Sequence, residues 1–358
     1  MSDRRRKTLT RSLVGTGVAL GAAAIGVAAE RSMVRRARAA PDPHPDEPLD
    51  ERPGVEHRLT SFDGTELTVN VVGPERAPTL VFIHGFSLDM TVWHYQWKYF
   101  SRDYRCVLYD VRGHGRSAPA AGRDYEMDAL GHDLEAILDE FAPSGPVVLV
   151  GHSMGGMSVI ALADRYQHEF GKRVRGVVLA NTAAADVMKE VLGGLGARVG
   201  RFLIPAPRRL LRGTSNIAYR LRDRALNRSP DLAFLAVRIT NFGAGAPPSA
   251  VDHIARIAGQ APVEVWSDLI RSLAELDLAH ALEHITVPTL ILVGDVDRLT
   301  PPSSALAMKE RLPDARMVVM EQAGHCAMLE RPEQFNEVVE GFLDEALGRK
   351  KQRARASP

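Results

Sequence analysis

The sequence predicts an α/β fold: a mostly parallel, doubly wound sheet with helices on both faces and a helical cap inserted into it. Two observations lead to this prediction. Short apolar runs of strand length alternate with stretches of helical periodicity along most of the chain, and such alternation requires crossover connections between parallel strands. Residues 183–287 interrupt the alternation with helical patterns alone, and the strand pattern resumes at residue 288.

The first two predicted strands are antiparallel. Apolar and polar residues alternate over residues 55–62 and 65–72, and Asp63-Gly64 between them is a strong hairpin signal. Apolar runs without this alternation are typical of strands buried on both faces. These runs are residues 79–83, 106–109, 147–150, 174–180, 288–294 and 317–320. Helical spacing of apolar residues predicts helices over residues 127–141, 157–166 and 335–343.

These patterns divide the chain into a core of residues 54–182 and 288–347, a cap of residues 183–287 and a basic tail of residues 348–358. The cap carries ten Lys or Arg residues between Lys189 and Arg228 against two acids, Glu190 and Asp223. Two interpretations stay open. The cap helices have ordinary solvated basic faces, or they form a lid whose basic side meets anionic lipid or an anionic substrate.

Residues 1–40 form a predicted membrane-directed segment. The uncharged stretch of residues 12–29 is just long enough to span a bilayer and has arginine clusters on both sides. We expect a membrane-associated protein with a single N-terminal anchor. The alternatives are a signal peptide cut near Ala37-Arg38-Ala39, which would make the protein secreted, and a helix lying on the membrane. The proline-rich, acidic residues 41–53 predict a solvated linker.

Composition narrows the function classes. A hydrophobic content of 45% is ample for a core, and a formal net charge of +1 gives no sign of a nucleic-acid partner. The only two cysteines, Cys106 and Cys326, do not indicate a disulfide framework. Neither C-x-x-C nor H-E-x-x-H spacing occurs, so we expect no metal and no cofactor.

The strongest motif is Gly151-His152-Ser153-Met154-Gly155. It follows a buried strand and precedes a helical pattern, so Ser153 lies on a strand-to-helix turn. G-x-S-x-G in this position is a nucleophile elbow: its glycines lack the Cβ atoms that would collide in so sharp a turn, and the serine hydroxyl points outward. The alternative is a Gly-Ser turn that matches the pattern by chance.

Three further segments follow strand ends. His84-Gly85-Phe86 comes directly after the strand at residues 79–83, where a backbone amide can be aimed at a reacting carbonyl oxygen. Asp295-Val296-Asp297 follows the strand at residues 288–294, and Gly324-His325 follows the last strand. A serine, an acid and a histidine thus occur in this order, each after a strand.

On these motifs, residues 55–347 resemble the α/β-hydrolase family. The resemblance implies that Ser153 is the nucleophile, that His325 is the general base and later the acid, and that Asp297 orients the imidazole. It also implies an oxyanion hole formed by the backbone N–H groups of Phe86 and Met154. No external cofactor is needed for such chemistry.

The sequence contains other candidates for these roles. Asp295 is an alternative acid, and Asp186 is a weaker one because some family members place their acid after the sixth strand. His84 and His152 lie inside backbone-shaping motifs, and His114 lies in a glycine-rich turn, so hydrogen-bonded structural roles are expected for them. Cys326 is expected to be a packing residue.

The nucleophile indicates the reaction. Relatives that remove halide or open epoxides have aspartate at the elbow, whereas serine favours acyl transfer to water. The segment Gly-His-Ser-Met-Gly-Gly is similar to monoacylglycerol lipases and general esterases, and we expect a carboxylic ester of moderate or long acyl chain, lipid included, as the small-molecule substrate. The alternatives are a carbon–carbon bond hydrolase, a cofactor-free haloperoxidase-like esterase, and a binding protein that has kept the fold without catalysis.

Overall fold

The computed structural model describes residues 30–190 and 230–348. Its centre is an eight-stranded sheet in the spatial order β1-β2-β4-β3-β5-β6-β7-β8. The strands are β1 (Val55–Thr60), β2 (Glu66–Val72), β3 (Thr79–Ile83), β4 (Arg105–Tyr109), β5 (Val147–His152), β6 (Val174–Ala180), β7 (Thr289–Gly294) and β8 (Arg316–Met320). Every strand expected from the sequence is present.

At one end of the sheet, β1 and β2 pair antiparallel with each other, and β2 pairs antiparallel with β4. All the other pairs are parallel. Gly64 in the hairpin turn has φ +86°, a left-handed conformation that glycine adopts without a steric penalty. The predicted hairpin and the mostly parallel sheet are therefore confirmed.

The central strands are buried on both faces. In β3, Leu80 and Phe82 belong to one hydrophobic cluster, while Val81 and Ile83 belong to another on the opposite face. In β7 and β5 successive residues divide between the same two clusters. Because neighbouring residues of a strand point to opposite faces, a sheet covered on both sides needs an uninterrupted apolar run.

Helices cover both faces of the sheet. They are α1 (30–38), α2 (His94–Phe100), α3 (Met127–Phe141), α4 (Met154–Arg165), α5 (Pro230–Asn241), α6 (Pro248–Ala258), α7 (Val263–Ala274), α8 (Pro302–Arg311), α9 (Ala327–Glu330) and α10 (Pro332–Ala346). Residues of α3, α4, α7 and α8 lie in one cluster, and residues of α2, α5, α6, α9 and α10 lie in the other. The doubly wound arrangement and the inserted cap helices agree with the prediction.

The segment before β1 differs from the predicted solvated linker. Leu49 is 4% exposed, and Glu47 bonds to Lys98 of α2 with Oε1 2.6 Å from Nζ. Asn70 of β2 donates to the carbonyl oxygen of Pro53 at 2.8 Å. Residues 41–53 thus contact the domain at Glu47, Leu49 and Pro53, while most of the others are exposed. The sequence pattern did not show these contacts because the two buried residues, Leu49 and Pro53, stand among exposed prolines and acids.

Helix α1 packs on the cap. Val34 is 4% exposed, and Arg38 donates to Asp252 of α6 while its guanidinium lies 4.5 Å from the ring centroid of Phe234. No helix within residues 30–190 and 230–348 is long and apolar enough to cross a bilayer. The uncharged stretch of residues 12–29, most of the basic stretch of the cap and nearly all of the basic tail lie outside the described residues.

The parallel strands deliver the candidate residues to one edge. His84 follows β3, Ser153 follows β5 and Asp297 lies three residues after the end of β7. His325 lies five residues after the end of β8. Since ligands of open α/β sheets bind beyond the carboxyl ends of the strands, this edge is where a site is expected.

Candidate active site

Ser153 occupies a strained turn between β5 and α4. Its backbone has φ 52° and ψ −120°, a region that residues with a Cβ atom rarely adopt. Two hydrogen bonds hold it there: its N–H donates to the carbonyl oxygen of Ala180 at 3.0 Å, and its own carbonyl accepts from Thr182 Oγ1 at 2.7 Å. The carboxyl end of β6 therefore supports the conformation of the turn.

The flanking glycines are required by close contacts. A Cβ atom on Gly155 would lie 2.2 Å from the carbonyl oxygen of Ile83, and one on Gly151 would lie 2.6 Å from that of Gly155. A Cβ atom on Gly85 would lie 2.9 Å from Cβ of Ser153, so the loop after β3 passes directly beside the serine. The turn has the packing that a nucleophile elbow requires.

His325 and Asp297 form a buried pair. Nδ1 of His325 lies 2.9 Å from Oδ2 and 3.1 Å from Oδ1 of Asp297, and each residue is 4% exposed. A neutral imidazole that donates from Nδ1 keeps Nε2 as an acceptor, which is the state needed to remove a proton from a hydroxyl.

Neutral donors surround the carboxylate of Asp297. Oδ1 accepts from the N–H groups of Leu299 and Thr300 at 2.8 and 3.1 Å, and Oδ2 accepts from Thr300 Oγ1 and Asn181 Nδ2 at 2.8 Å each. Burial raises the pKa of Asp297, but the adjacent His325 and these hydrogen bonds outweigh burial and lower the pKa to about 2. The carboxylate is therefore charged throughout the physiological range.

His152 joins the histidine loop to the elbow. Its Nε2–H donates to the carbonyl oxygen of His325 at 2.9 Å, and the two ring centroids are 4.7 Å apart. Burial lowers the pKa of His152 to about 3, so its ring is neutral. Among the described residues no hydrogen bond joins Ser153 Oγ to His325 Nε2. His325 bonds directly to Asp297, and its carbonyl oxygen bonds to His152, the residue that precedes Ser153.

Two backbone donors stand at the elbow. Met154 is the first residue of α4, so its N–H has no acceptor within the helix, and the N–H of Phe86 has no hydrogen-bond partner in the described part of the chain. The positive end of the α4 dipole adds to the attraction for an anion at this point. We expected α4 to begin at residue 157. It begins at Met154, which brings its first N–H groups next to Ser153.

His84 and His114 hold the loop after β3. His84 Nε2 accepts from the N–H of Val111 at 2.9 Å and Nδ1–H donates to the carbonyl oxygen of Gly85 at 2.8 Å. His114 Nε2 accepts from the N–H of Ser87 at 3.1 Å, and its Nδ1–H donates to the carbonyl two residues earlier. Burial lowers the pKa of both rings to about 4. Each is a neutral cross-link between two loops.

The two alternative acids and Cys326 have surroundings unlike those of Asp297. Asp295 is exposed, and Asp186 is 59% exposed and pairs with Lys189 one helical turn away. Cys326 is fully buried, and burial raises the pKa of its thiol. Residues 30–190 and 230–348 contain no group of three or more His, Cys, Asp or Glu side chains arranged to hold a metal ion.

Sequence reasoning missed two supporting residues. Asn181 follows β6 and donates from Nδ2 to Asp297 and also to the carbonyl oxygen of Gly324 at 3.1 Å. Glu330 is buried and accepts from the N–H of Gly324 at 2.8 Å and from that of Gly243 at 3.0 Å. The position of Asn181 directly after a parallel strand was the available signal for it. Nothing local in the sequence indicates the role of Glu330.

The cap approaches the site with aromatic and aliphatic side chains. Trp266 of α7 lies with its ring centroid 5.6 Å from that of Phe86, and both rings are half-buried. Val265 packs against Gly113, in the turn after β4. The side of the site that faces α7 is therefore apolar.

Known proteins are similar to this chain over most of its length. It is 28% identical over 286 residues to 3-oxoadipate enol-lactonase 2 of Acinetobacter baylyi, which covers 80% of this chain and 95% of that protein. It is 25% identical over 280 residues to a pimeloyl-[acyl-carrier protein] methyl ester esterase of Aeromonas hydrophila, which covers 77% and 100% respectively.

A solved structure shows the same architecture. A thermophilic esterase from Thermogutta terrifontis superimposes with a TM-score of 0.63 at 25% identity, covering 82% of this chain and 99% of that one. A family model described as "alpha/beta hydrolase fold" matches residues 78–332, a range that contains the elbow, the acid turn and the histidine loop. With this sheet order and this match over most of its length, the chain belongs to the α/β-hydrolase family.

Proposed function

We propose that this protein is a serine hydrolase that cleaves a carboxylic ester through an acyl-enzyme intermediate. The observation that carries the proposal is the buried hydrogen bond of 2.9 Å between His325 and Asp297, held beside the strained turn of Ser153. The two relatives support the ester class, because one is named for a lactone, which is a cyclic ester, and the other for a methyl ester.

The proposed mechanism assigns one task to each group. Ser153 Oγ attacks the acyl carbon while His325 Nε2 takes its proton, and Asp297 stabilises the imidazolium that forms. The N–H groups of Phe86 and Met154 bind the oxyanion of the tetrahedral intermediate. The alcohol leaves with the proton from His325. Water then attacks the acyl carbon while His325 takes its proton, and the bond to Ser153 Oγ breaks as His325 returns the proton to that oxygen and the acid is released.

The proposal extends to an apolar acyl group, including the acyl chain of a lipid. Its support is the half-buried pair of rings of Phe86 and Trp266 on the side of the site that faces α7. Such surfaces favour apolar ligands, because burying them together removes both from water. The chain lengths of the acyl group and of the alcohol depend on how far this apolar wall continues.

We also propose that the enzyme is held at a membrane by its N-terminal segment, residues 1–40. The support is the uncharged stretch of residues 12–29 between arginine clusters. The competing outcome is removal of this segment and release of a secreted form.

One experiment tests activity and location together. Cells that produce the protein are fractionated, and each fraction is treated with a fluorophosphonate, which reacts with an activated serine. We expect labelling in the membrane fraction and its loss in Ser153→Ala, with turnover of p-nitrophenyl esters reduced about 10⁶-fold. Ser158→Ala is the matched control, because Ser158 Oγ donates to the carbonyl oxygen of Met154 inside α4 and has no task in the mechanism.

The other outcomes identify the alternatives. A folded wild-type protein that neither reacts with the probe nor turns over any ester would contradict the proposal and favour a binding protein. Labelling without ester turnover at any chain length would favour the carbon–carbon hydrolase. Labelled protein in the medium, shortened at its N-terminus, would replace the anchored form by the secreted one.

A further inference from the structure

Residues 41–53, here called the strap, end at a buried arginine. The side chain of Arg52 is 13% exposed, and its guanidinium reaches two carboxylates from different loops. Nη1 donates to Oδ2 of Asp110 at 2.8 Å, and Nη2 lies 3.6 Å from Oδ2 of Asp89. The side chains of Asp110 and Asp89 are 0% and 8% exposed. One cation therefore lies between two buried carboxyl groups.

The carboxyl group of Asp110 accepts hydrogen bonds from two separate backbone segments. It follows β4, and its Oδ1 accepts from the N–H of Met90 at 2.9 Å. Its Oδ2 accepts from the N–H of Arg116 at 2.8 Å, in addition to the guanidinium of Arg52. A Cβ atom on Gly115 would lie 2.3 Å from this carboxyl group, so the turn after β4 wraps closely around it. Asp110 thus joins that turn to the chain that follows the loop after β3.

Asp89 ends the loop that carries the proposed oxyanion donor. This loop, residues 84–89, is tightly folded: the N–H of Leu88 donates to the carbonyl oxygen of Gly85, and Ser87 has φ 60°. Asp89 then accepts from the N–H of Thr91 at 2.9 Å and caps the next helical turn. Phe86 lies only three residues before Asp89, and between them the N–H of Ser87 is also held by His114 at 3.1 Å.

The guanidinium of Arg52 stabilises the two buried carboxyl groups electrostatically. Two buried carboxylates without a cation repel each other, and each loses the compensation that allows it to stay charged away from water. The loops that carry them would then move apart or one carboxyl would take up a proton. In either case the anchor of the loop at residues 84–89 changes while the Asp297–His325 pair does not.

We propose that Arg52 is a positioning residue for the oxyanion hole: by binding Asp89 and Asp110 together it sets the place of the Phe86 N–H. The inference rests on the ester hydrolase function proposed above. The strap lies outside residues 78–332, the range of the family match. The proposal therefore gives a residue outside that range a role in positioning the site. An oxyanion donor acts on the transition state more than on bound substrate, so the effect is expected in kcat rather than in KM.

The test compares four full-length variants. They are Arg52→Met, Arg52→Lys, the double variant Arg52→Met with Asp89→Asn, and the control Arg58→Met. Arg58 is 45% exposed and binds Glu56, Glu66 and Thr68 on β1 and β2 and the carbonyl oxygen of Arg116, without contact to Asp110 or Asp89. Each variant is measured for kcat and KM on p-nitrophenyl acetate and for amide hydrogen exchange of residues 84–92.

We expect Arg52→Met to lower kcat about 10- to 100-fold with KM changed less than about threefold, since complete loss of one oxyanion donor costs about 100- to 1000-fold. Exchange of residues 84–92 should become faster. The lysine variant should regain part of kcat, and so should the double variant, because it no longer buries two charges of one sign. Arg58→Met should match the wild type.

Two results would overturn the proposal: kcat and exchange in Arg52→Met that equal those of Arg58→Met, or losses that appear equally in KM. If Arg52→Met does not fold, Arg52→Lys decides in the same way, since a change confined to kcat supports the proposal and an unchanged kcat overturns it. If the wild type hydrolyses no ester, the proposed function fails, and the hydrogen exchange still shows whether Arg52 holds the loop.

Discussion

The two sides of the candidate site stabilise buried carboxylates in different ways. On the acid side, Asp297 is surrounded by neutral donors and by His325, and its pKa falls to about 2. On the oxyanion side, burial raises the pKa of Asp110 against the opposing charge of Arg52. The first carboxylate is stabilised by neutral hydrogen-bond donors and by His325. The second accepts from the N–H groups of Met90 and Arg116 and from the cation of Arg52, which is distant in the sequence.

The difference follows from where the donors come from. Asn181 follows β6 directly, and Thr300 lies in the loop after β7 that also carries Asp297. Because β6 and β7 are neighbouring parallel strands, the sheet brings these two loops together. Arg52 belongs to a segment before β1 and reaches Asp110 only when the strap packs against the domain. The surroundings of Asp297 thus come from the loops of neighbouring strands, whereas the surroundings of Asp110 include Arg52 of the strap.

The largest effect is expected from Asp297→Asn. The amide cannot stabilise the imidazolium and favours the wrong tautomer of His325, so kcat should fall about 10⁴-fold. Asp295→Asn is the matched control, since Asp295 is exposed two residues away and should leave kcat unchanged. Steady-state kinetics of both variants measures this. A comparable loss in Asp295→Asn would mean that the acid has been assigned to the wrong residue.

The same pair of variants tests the charge state of Asp297. A carboxyl whose pKa is lowered from 3.8 to about 2 on folding stabilises the protein above pH 4, and this contribution is lost as the pH falls toward 2. The contribution is about 2 kcal/mol in the free energy of unfolding. Denaturant unfolding between pH 3 and pH 7 should therefore show a steeper acid loss for the wild type than for Asp297→Asn.

An intermediate effect is expected at Glu330, where the acid side meets the cap. Glu330→Met leaves the N–H groups of Gly324 and Gly243 buried without an acceptor, which should lower the free energy of unfolding by about 3 kcal/mol. Because Gly324 precedes His325, kcat should fall as well, by about tenfold.

Glu330→Gln is the conservative variant for this prediction, and Glu337→Gln is the control. The glutamine at position 330 keeps an oxygen acceptor and should lose about 1 kcal/mol. Glu337 is exposed on the next helix, α10, so its substitution should change stability by less than about 0.5 kcal/mol. Equal stability of the methionine and glutamine variants at position 330 would show that these two hydrogen bonds do not hold the histidine loop.

The smallest effect is expected at the apolar wall. Trp266→Ala removes the ring next to Phe86, so KM for p-nitrophenyl octanoate should rise about tenfold, equivalent to about 1.4 kcal/mol. The values for p-nitrophenyl acetate should stay within about twofold of the wild type, since a two-carbon acyl group is too short to need the wall. A uniform change for both esters would show that Trp266 acts on the fold and not on the acyl chain.

Local chemistry made some of these residues predictable and left others hidden. The turn of Ser153 could be identified because its strand, its glycines and its helix are consecutive. Asp297 and Asp295 remained alternatives in the sequence, and the direction of the loop after β7 separates them. Asn181, Glu330 and Arg52 act on partners 116, 87 and 58 residues away, and no local pattern encodes such distances.

By itself, therefore, the sequence determined the order of strands and helices, the two-sided burial of the sheet and the residues at the strand ends, because each of these is written in neighbouring side chains. Only the tertiary structure decided which of those residues meet, that the strap contacts the domain through Leu49 and Arg52, and where each buried charge finds its compensation. The physical reason is that hydrogen bonds and ion pairs act over a few ångströms in space, and folding alone brings distant parts of the chain to that range.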